Sequence, residues 1–303
     1  SYTLTNKAKA GLRIYKFDQQ TMKPIAGVTF EVYRDGEFYG SYVTDDWGEV
    51  TLTNLPSGTY LAKEVATIEP YTLDPTAQWV EIRAGQGYIS ELVFLNLLKP
   101  GMWLVKLDSE TLKPLPGAVF KISLVGGTFS DEFTTAADGT IDLSGLTPGA
   151  YEVLELAAPE GYVIDEAQRI IQLNAGENAQ FVFTNTKKPT LTILKVDEND
   201  GTPLSGATFK VKKTEDETVS EYVTGPDGKI VITDLDEAIY TVWEHSAPQG
   251  YIKEDRHKDI QLMAGDNKTV VFTNKPKPTL RILKVDSETL EPLPGAEFRV
   301  KRP

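Results

Sequence analysis

A set of residues that returns every 89 or 90 positions constrains this chain more than any other feature. Pro24-Ile-Ala-Gly27, Pro114-Leu-Pro-Gly117, Pro203-Leu-Ser-Gly206 and Pro292-Leu-Pro-Gly295 mark the period. Ahead of each stands an apolar run ending in Lys-x-Asp: Ile14-Tyr-Lys-Phe-Asp18, Leu104-Val-Lys-Leu-Asp108, Ile193-Leu-Lys-Val-Asp197 and Ile282-Leu-Lys-Val-Asp286. Downstream of the marker, each complete copy carries a turn (Asp45-Asp-Trp-Gly48, Ala137-Asp-Gly139, Pro226-Asp-Gly228), a Tyr-x-x-x-Glu element and a closing Phe-x-Asn element. Self-similarity at a fixed period means a string of like units, each burying its own core. Within a copy, about seven short runs rich in Val, Ile, Thr, Tyr and Phe alternate with Gly, Pro, Asp and Asn clusters, and none carries a sustained helical period. The expected fold is all-β, with tandem Ig-like modules of two packed sheets and about seven strands each.

Three copies are complete, over residues 10–99, 100–188 and 189–277. Residues 1–9 align with the last strand of a preceding repeat, and 278–303 with the first strands of a truncated fourth. The segment is therefore expected to be a window from a longer array. Exchange of end strands between chains is the alternative, although the joined pieces would lack about fifty positions. Each Phe-x-Asn asparagine precedes the next strand-one lysine by ten residues: Asn6 to Lys16, Asn96 to Lys106, Asn185 to Lys195, Asn274 to Lys284. One module thus starts almost where the last ends, and neighbouring repeats are the expected partners. Lys187-Lys-Pro189 and Lys275-Pro-Lys-Pro278 favour extended, semi-rigid connections. Leu97, Leu98, Met102 and Trp103 fall at the first junction and are expected to pack together there.

Composition removes whole classes of function. A net charge of −13 and a pI near 4.8 argue against binding nucleic acid or an anionic membrane. No cysteine is present, which excludes disulfides, thiolate zinc sites and cysteine nucleophiles. His245 and His257 are the two histidines, too few for a multi-histidine metal site, and no cofactor or metal is expected. Asp197-Glu-Asn-Asp-Gly201 begins like a calcium loop but lacks the downstream bidentate Glu, so it reads as a polar turn. No run approaches the roughly 18 apolar residues of a spanning helix. The N-terminus lacks signal-peptide order. Membrane insertion is therefore not expected, and export or anchoring signals, including a Leu-Pro-x-Thr-Gly motif, are expected outside the segment.

Strand alternation singles out three polar residues per module, because residues two apart share a face. Lys16, Lys106 and Lys195 are in phase with Leu12 and Ile14, Met102 and Leu104, Leu191 and Ile193. Glu64, Glu155 and Glu244 are in phase with Tyr60, Tyr151 and Tyr240. Asn96, Asn185 and Asn274 follow Phe94, Phe183 and Phe272 by two. Lys-to-Glu spacings are 48, 49 and 49, and Glu-to-Asn spacings 32, 30 and 30. Burying an amine, a carboxyl and a carboxamide costs several kcal/mol per ion unless they meet. Burial favours the uncharged amine and the uncharged acid alike. A neutral amine in contact with a carboxamide can attack its carbonyl while the acid shuttles the proton and helps ammonia leave. The same residues can also rest as an unreacted, hydrogen-bonded cluster.

Taken as a set, the Ile-Leu-Lys-Val-Asp strand, Pro-Leu-x-Gly-Ala-x-Phe, Tyr-x-x-x-Glu, Ala158-Pro-Glu-Gly-Tyr162, Ala247-Pro-Gln-Gly-Tyr251 and Phe-Thr-Asn resemble SpaA/CnaB-type repeats of Gram-positive surface adhesins and pilins. The resemblance covers nearly the whole chain and implies a prealbumin-like β-sandwich. It also implies that Lys16 bonds to Asn96, Lys106 to Asn185 and Lys195 to Asn274, with Glu64, Glu155 and Glu244 as catalysts. Module one departs from the pattern, with Ile68-Glu-Pro-Tyr71 in place of Ala-Pro-x-Gly-Tyr and Leu97-Leu98 after its Asn. Asn6 and Lys284 have no partner and are expected to stay unreacted. The implied function is a cell-surface stalk rather than a turnover enzyme. Direct binding of a host matrix protein or glycan is the alternative, and a distal domain could also supply such a ligand site.

Overall fold

The computed structural model describes residues 10–83 and 85–301. The expected last strand of a preceding repeat, with Asn6, lies outside the described residues. The chain divides into two compact units, Ser1–Thr186, which holds two sandwiches, and Lys187–Pro303, which holds a third. No helix occurs among the described residues, and so none is long and apolar enough to cross a membrane.

Each sandwich opens with an eight-residue strand: Gly11–Asp18, Gly101–Asp108 and Thr190–Asp197. That strand is central in its sheet, between the fourth strand (Glu49–Thr53, Thr140–Leu143, Lys229–Ile232) and the last (Ile89–Asn96, Asn178–Asn185, Asn267–Pro276). It runs antiparallel to the former and parallel to the latter. The facing sheet runs, in order, Glu37–Val43, Thr29–Arg34, Gly58–Ala66 and Gln78–Ile82 in the first sandwich, Ser130–Thr134, Val119–Leu124, Gly149–Ala157 and Arg169–Leu173 in the second, and Val219–Val223, Thr208–Lys213, Ala238–Ser246 and His257–Leu262 in the third. The third-named strand of each carries the Glu. The inward faces close three separate cores, around Phe30 and Tyr60, Phe120 and Tyr151, and Phe209 and Tyr240.

Two turns fix the first strand. Its terminal aspartate accepts the amides two and three residues on, Asp18 from Gln20 at 2.9 Å and Thr21 at 2.7 Å, Asp108 from Glu110 and Thr111 at the same distances. This is an Asx-type turn set by local chemistry. It forms at Asp286 as well, where Glu288 and Thr289 donate at 2.9 and 3.0 Å. There the expected strands of a fourth repeat do not pair: among the described residues of 278–301 one isolated bridge, Val285 to Pro292, remains, and Leu280 and Phe298 are exposed. The second turn needs glycine. Gly48, Gly139 and Gly228 have φ of 69–75°, and a Cβ on each would come within 2.4–2.7 Å of the lysine carbonyl of strand one.

The junction between the first two sandwiches differs from expectation. Met102 lies in the second core, whereas Trp103, one residue on, points outward and is half exposed, so the four residues do not form one cluster. Alternation within the strand separates them. The contact is made instead by the turn before the second sandwich's last strand. Gly176 donates to the Leu98 carbonyl at 2.6 Å and accepts from Gln20 Nε2 at 3.0 Å, with Leu97 packed over it.

Candidate functional site

The parallel pairing of first and last strands sets the geometry. Lys16 is in register with Phe94 and Asp18 with Asn96, so the lysine and asparagine sit diagonally, two residues apart on one inward face. The same register places Lys106 against Phe183 and Lys195 against Phe272. The facing sheet delivers the carboxylate, with Glu64, Glu155 and Glu244 opposite Phe30, Phe120 and Phe209. A bulge lies beside each of these pairs. All nine residues are buried, the three lysines completely and no glutamate or asparagine beyond 4% exposure.

The structure brings each trio into contact. In the first sandwich Lys16 Nζ lies 2.8 Å from Glu64 Oε2 and donates to Asn96 Oδ1 at 2.5 Å, while Asn96 Nδ2 donates to Glu64 Oε1 at 2.7 Å. In the second, one oxygen serves both nitrogens: Glu155 Oε2 accepts from Lys106 Nζ and from Asn185 Nδ2, each at 3.1 Å. In the third, Asn274 Nδ2 donates to Glu244 Oε2 at 2.9 Å, and Lys195 Nζ stands 3.4 Å from Oε1. The asparagine Oδ1 atoms of the second and third sites are buried without a hydrogen-bond partner, as is Lys195 Nζ. Burial pushes all three amines below the ordinary lysine range, against the opposing pull of the adjacent glutamate.

Aromatic rings close the site. Phe30 and Phe94, Phe120 and Phe183, and Phe209 and Phe272 pair with centroids 4.8–5.1 Å apart. Lys106 and Lys195 lie 5.3 and 5.9 Å from the Phe120 and Phe209 rings. The rings exclude water and so strengthen every polar contact inside. Among the described residues no cluster of His, Cys, Asp and Glu could hold a metal.

The SpaA prealbumin-like fold domain matches this chain three times, over residues 10–93, 101–187 and 189–276. The chain belongs to the SpaA-type prealbumin-like domain family. The collagen adhesin of Staphylococcus aureus is 31% identical over 209 residues, covering 61% of this chain and 17% of the relative. The serine-aspartate repeat-containing protein D of S. aureus strain Newman is 24% identical over 277 residues, covering 77% and 21%. The chain thus spans about a fifth of these relatives. Among solved structures, the Bacillus anthracis TIE protein aligns at 27% identity and a TM-score of 0.37, covering 88% of this chain and 51% of that one. A streptococcal ancillary pilin aligns at 18% identity and a TM-score of 0.34, covering 89% of this chain and all of its own.

Each SpaA-type module also holds functional polar residues beyond the expected trio. The tyrosine of the Pro-x-Gly-Tyr loop donates to the aspartate that ends strand one, Tyr162 to Asp108 at 2.8 Å and Tyr251 to Asp197 at 2.9 Å. Tyr71 pairs with Asp18 in the first module. The Thr111 amide, with the Tyr162 hydroxyl and the Glu110 amide, holds Asp108 at about 2. Burial and that carboxylate push Tyr162 up to about 12. The docked loop then touches the trio. Asp165 and Glu254 amides donate to Glu155 and Glu244 at 2.9 and 2.7 Å, and the Val163 and Ile252 carbonyls accept from Asn185 and Asn274 Nδ2. In the first module Thr67 Oγ1, at 2.9 Å, takes the carbonyl's place beside Asn96. The recurring Asp and Tyr were visible signals; the backbone groups had none.

Proposed function

We propose that this segment is an extracellular stalk whose modules each seal themselves with an isopeptide bond, Lys16 to Asn96, Lys106 to Asn185 and Lys195 to Asn274. The observation that carries the reading is the threefold recurrence of a fully buried lysine in contact with a buried Glu that also binds the asparagine amide. An unreacted cluster would keep three ionisable pairs out of water at a cost of several kcal/mol per ion. A neutral secondary amide removes that cost.

The contacts support one sequence of steps. Desolvation favours the neutral amine, whose lone pair attacks Asn185 Cγ. The Val163 carbonyl accepts only from an N–H, which fixes the amide so that Nδ2 faces Glu155. Glu155 Oε2, in reach of both nitrogens, takes a proton from the attacking amine and returns it to Nδ2. The Cγ–Nδ2 bond breaks, ammonia leaves, and the Cγ–Nζ amide remains. In the third module a cavity of about 190 Å³ bordered by Ile252, Glu254, Thr273 and Asn274 offers the ammonia an exit.

Once sealed, tension enters a module at the lysine and leaves at the asparagine ten residues before the next lysine, so the interior carries no load. Such a tether resists shear and proteolysis without disulfides, in keeping with a chain devoid of cysteine. Intact mass of the full chain under denaturing conditions tests the reading. Loss of three ammonia molecules is expected; a mass equal to the residue sum would refute it.

A further inference from the structure

The three modules differ on a face that lies away from the Lys–Glu–Asn trio. In the first sandwich, Phe38, Tyr33, Leu61 and Trp79 pair in register across the facing sheet, forming one continuous row on its outward side. Phe38 and Trp79 are 60% and 69% exposed. The residues on either side of Leu61, Tyr60 and Ala62, point into the core, so the row is a deliberate outward phase. The same register positions hold Ser130, Ser123, Glu152 and Ile170 in the second sandwich, and Val219, Lys212, Thr241 and Asp259 in the third. A stalk face needs no such row, and two of three modules lack it.

The row borders a cavity of about 580 Å³, lined by Tyr33, Leu61, Trp79 and Lys63 and ended by Asp35, Gly36 and Thr59. This volume lies in the range of ligand sites. The walls are preset. Tyr33 donates to Glu31 at 2.6 Å, packs edge-on to Phe38 at 5.7 Å, and lies under Lys63, whose amine is 5.1 Å from its centroid. Four strands at the usual spacing make the row roughly 14 Å long. One side chain wide, it falls far short of the roughly 800 Å² per partner that a stable folded interface buries. The rim charges are of both signs and already paired, Lys63 with Glu31 at 3.2 Å and Arg34 with Asp35 at 3.5 Å, which leaves no field for a polyanion.

We propose that this groove binds a proline-rich segment in the polyproline II conformation. Tyr33 and Trp79 stand two strands apart, about 9.6 Å. A polyproline II helix repeats every three residues at 3.1 Å each, about 9.3 Å. One turn of it therefore sets prolines three residues apart against the two rings, with Leu61 as the floor. Aromatic-walled grooves recognise such segments because the ligand loses little conformational entropy on docking.

Titration calorimetry of the full chain with a ten-residue oligoproline tests the assignment. Saturable binding is expected, weakened at least tenfold by Trp79→Ala and by Leu61→Glu, which installs the second module's residue. Trp103→Ala, at an exposed aromatic of the second module, should leave it unchanged. Thermal unfolding of each variant separates loss of binding from loss of fold. Absence of oligoproline binding, or binding untouched by both groove variants, would overturn the proposal. So would binding of a neutral oligosaccharide such as cellotetraose that is lost in Trp79→Ala while oligoproline fails to bind; the groove would then be a saccharide site.

Discussion

Replacing Glu155 by Gln separates the proposed cross-link of one module from its packing. The side chain keeps its volume and can still accept from Lys106 and from the Asp165 amide, so the fold is retained. It cannot carry a proton between the attacking and leaving nitrogens. The second module should therefore fold with Lys106 and Asn185 unjoined, and the chain should lose two ammonia molecules instead of three. The bond would have enclosed about 80 residues, and a loop of that length contributes about 4.5 kcal/mol by limiting the unfolded chain. For a domain of this size that corresponds to a fall in Tm of about 20–35 °C, confined to the second module's transition.

Under tension the difference becomes a length. Roughly 80 residues at 3.3–3.6 Å each hold about 260–290 Å of chain. The first and last strands are neighbours, so almost all of that length is hidden in the folded module. Pulling the full chain by its ends should release one step of this size in Glu155→Gln and none in the unmodified protein. If the variant still loses three ammonia molecules, Glu155 is not the proton carrier. If the unmodified chain releases three such steps, the bonds are absent and the load path is wrong.

Three further outcomes follow from the second module. Asp108, held at about 2 against an ordinary 3.8, contributes stability that is complete above pH 4 and lost as the pH falls through about 2. The loss should reach about 2 kcal/mol in urea unfolding, and Asp108→Asn should abolish this acid limb. Its partner acts at the other end: with Tyr162 raised from 10 to about 12, stability present below pH 10 is lost as the pH rises through 12, and Tyr162→Phe should flatten that limb. Gly139→Ala should cost about 2–3 kcal/mol and slow ammonia release. Its Cβ would stand 2.7 Å from the Lys106 carbonyl and 2.9 Å from the Leu115 amide at φ 75°. Gly126→Ala, at φ 73° with nothing within 4 Å, supplies the control and should cost about 1 kcal/mol without affecting the release.

What the sequence disclosed follows from the period of a strand. Alternation alone put Lys106, Glu155 and Asn185 on inward faces, because each sits two residues from an apolar neighbour with the same phase. The same rule applies to Asp108, two residues beyond Lys106, and to its analogues Asp18 and Asp197, all of which are buried. Its tyrosine partner lies 54 residues away in both the second and the third modules, so that pairing was as regular as the one between lysine and asparagine. The junction departs from the expected packing for a related reason. Met102 and Trp103 are adjacent in sequence but opposite in phase, and only Met102 reaches a core. The Val163 and Ile252 carbonyls carry no side-chain signature at all, since any residue supplies the same acceptor once the tyrosine has docked its loop. Repetition is informative in the opposite sense on the outward faces. Packing holds inward positions alike in all three modules, whereas nothing in the fold dictates the outward row at Phe38, Tyr33, Leu61 and Trp79. Its restriction to one copy is therefore best explained by something outside the sandwich that it meets.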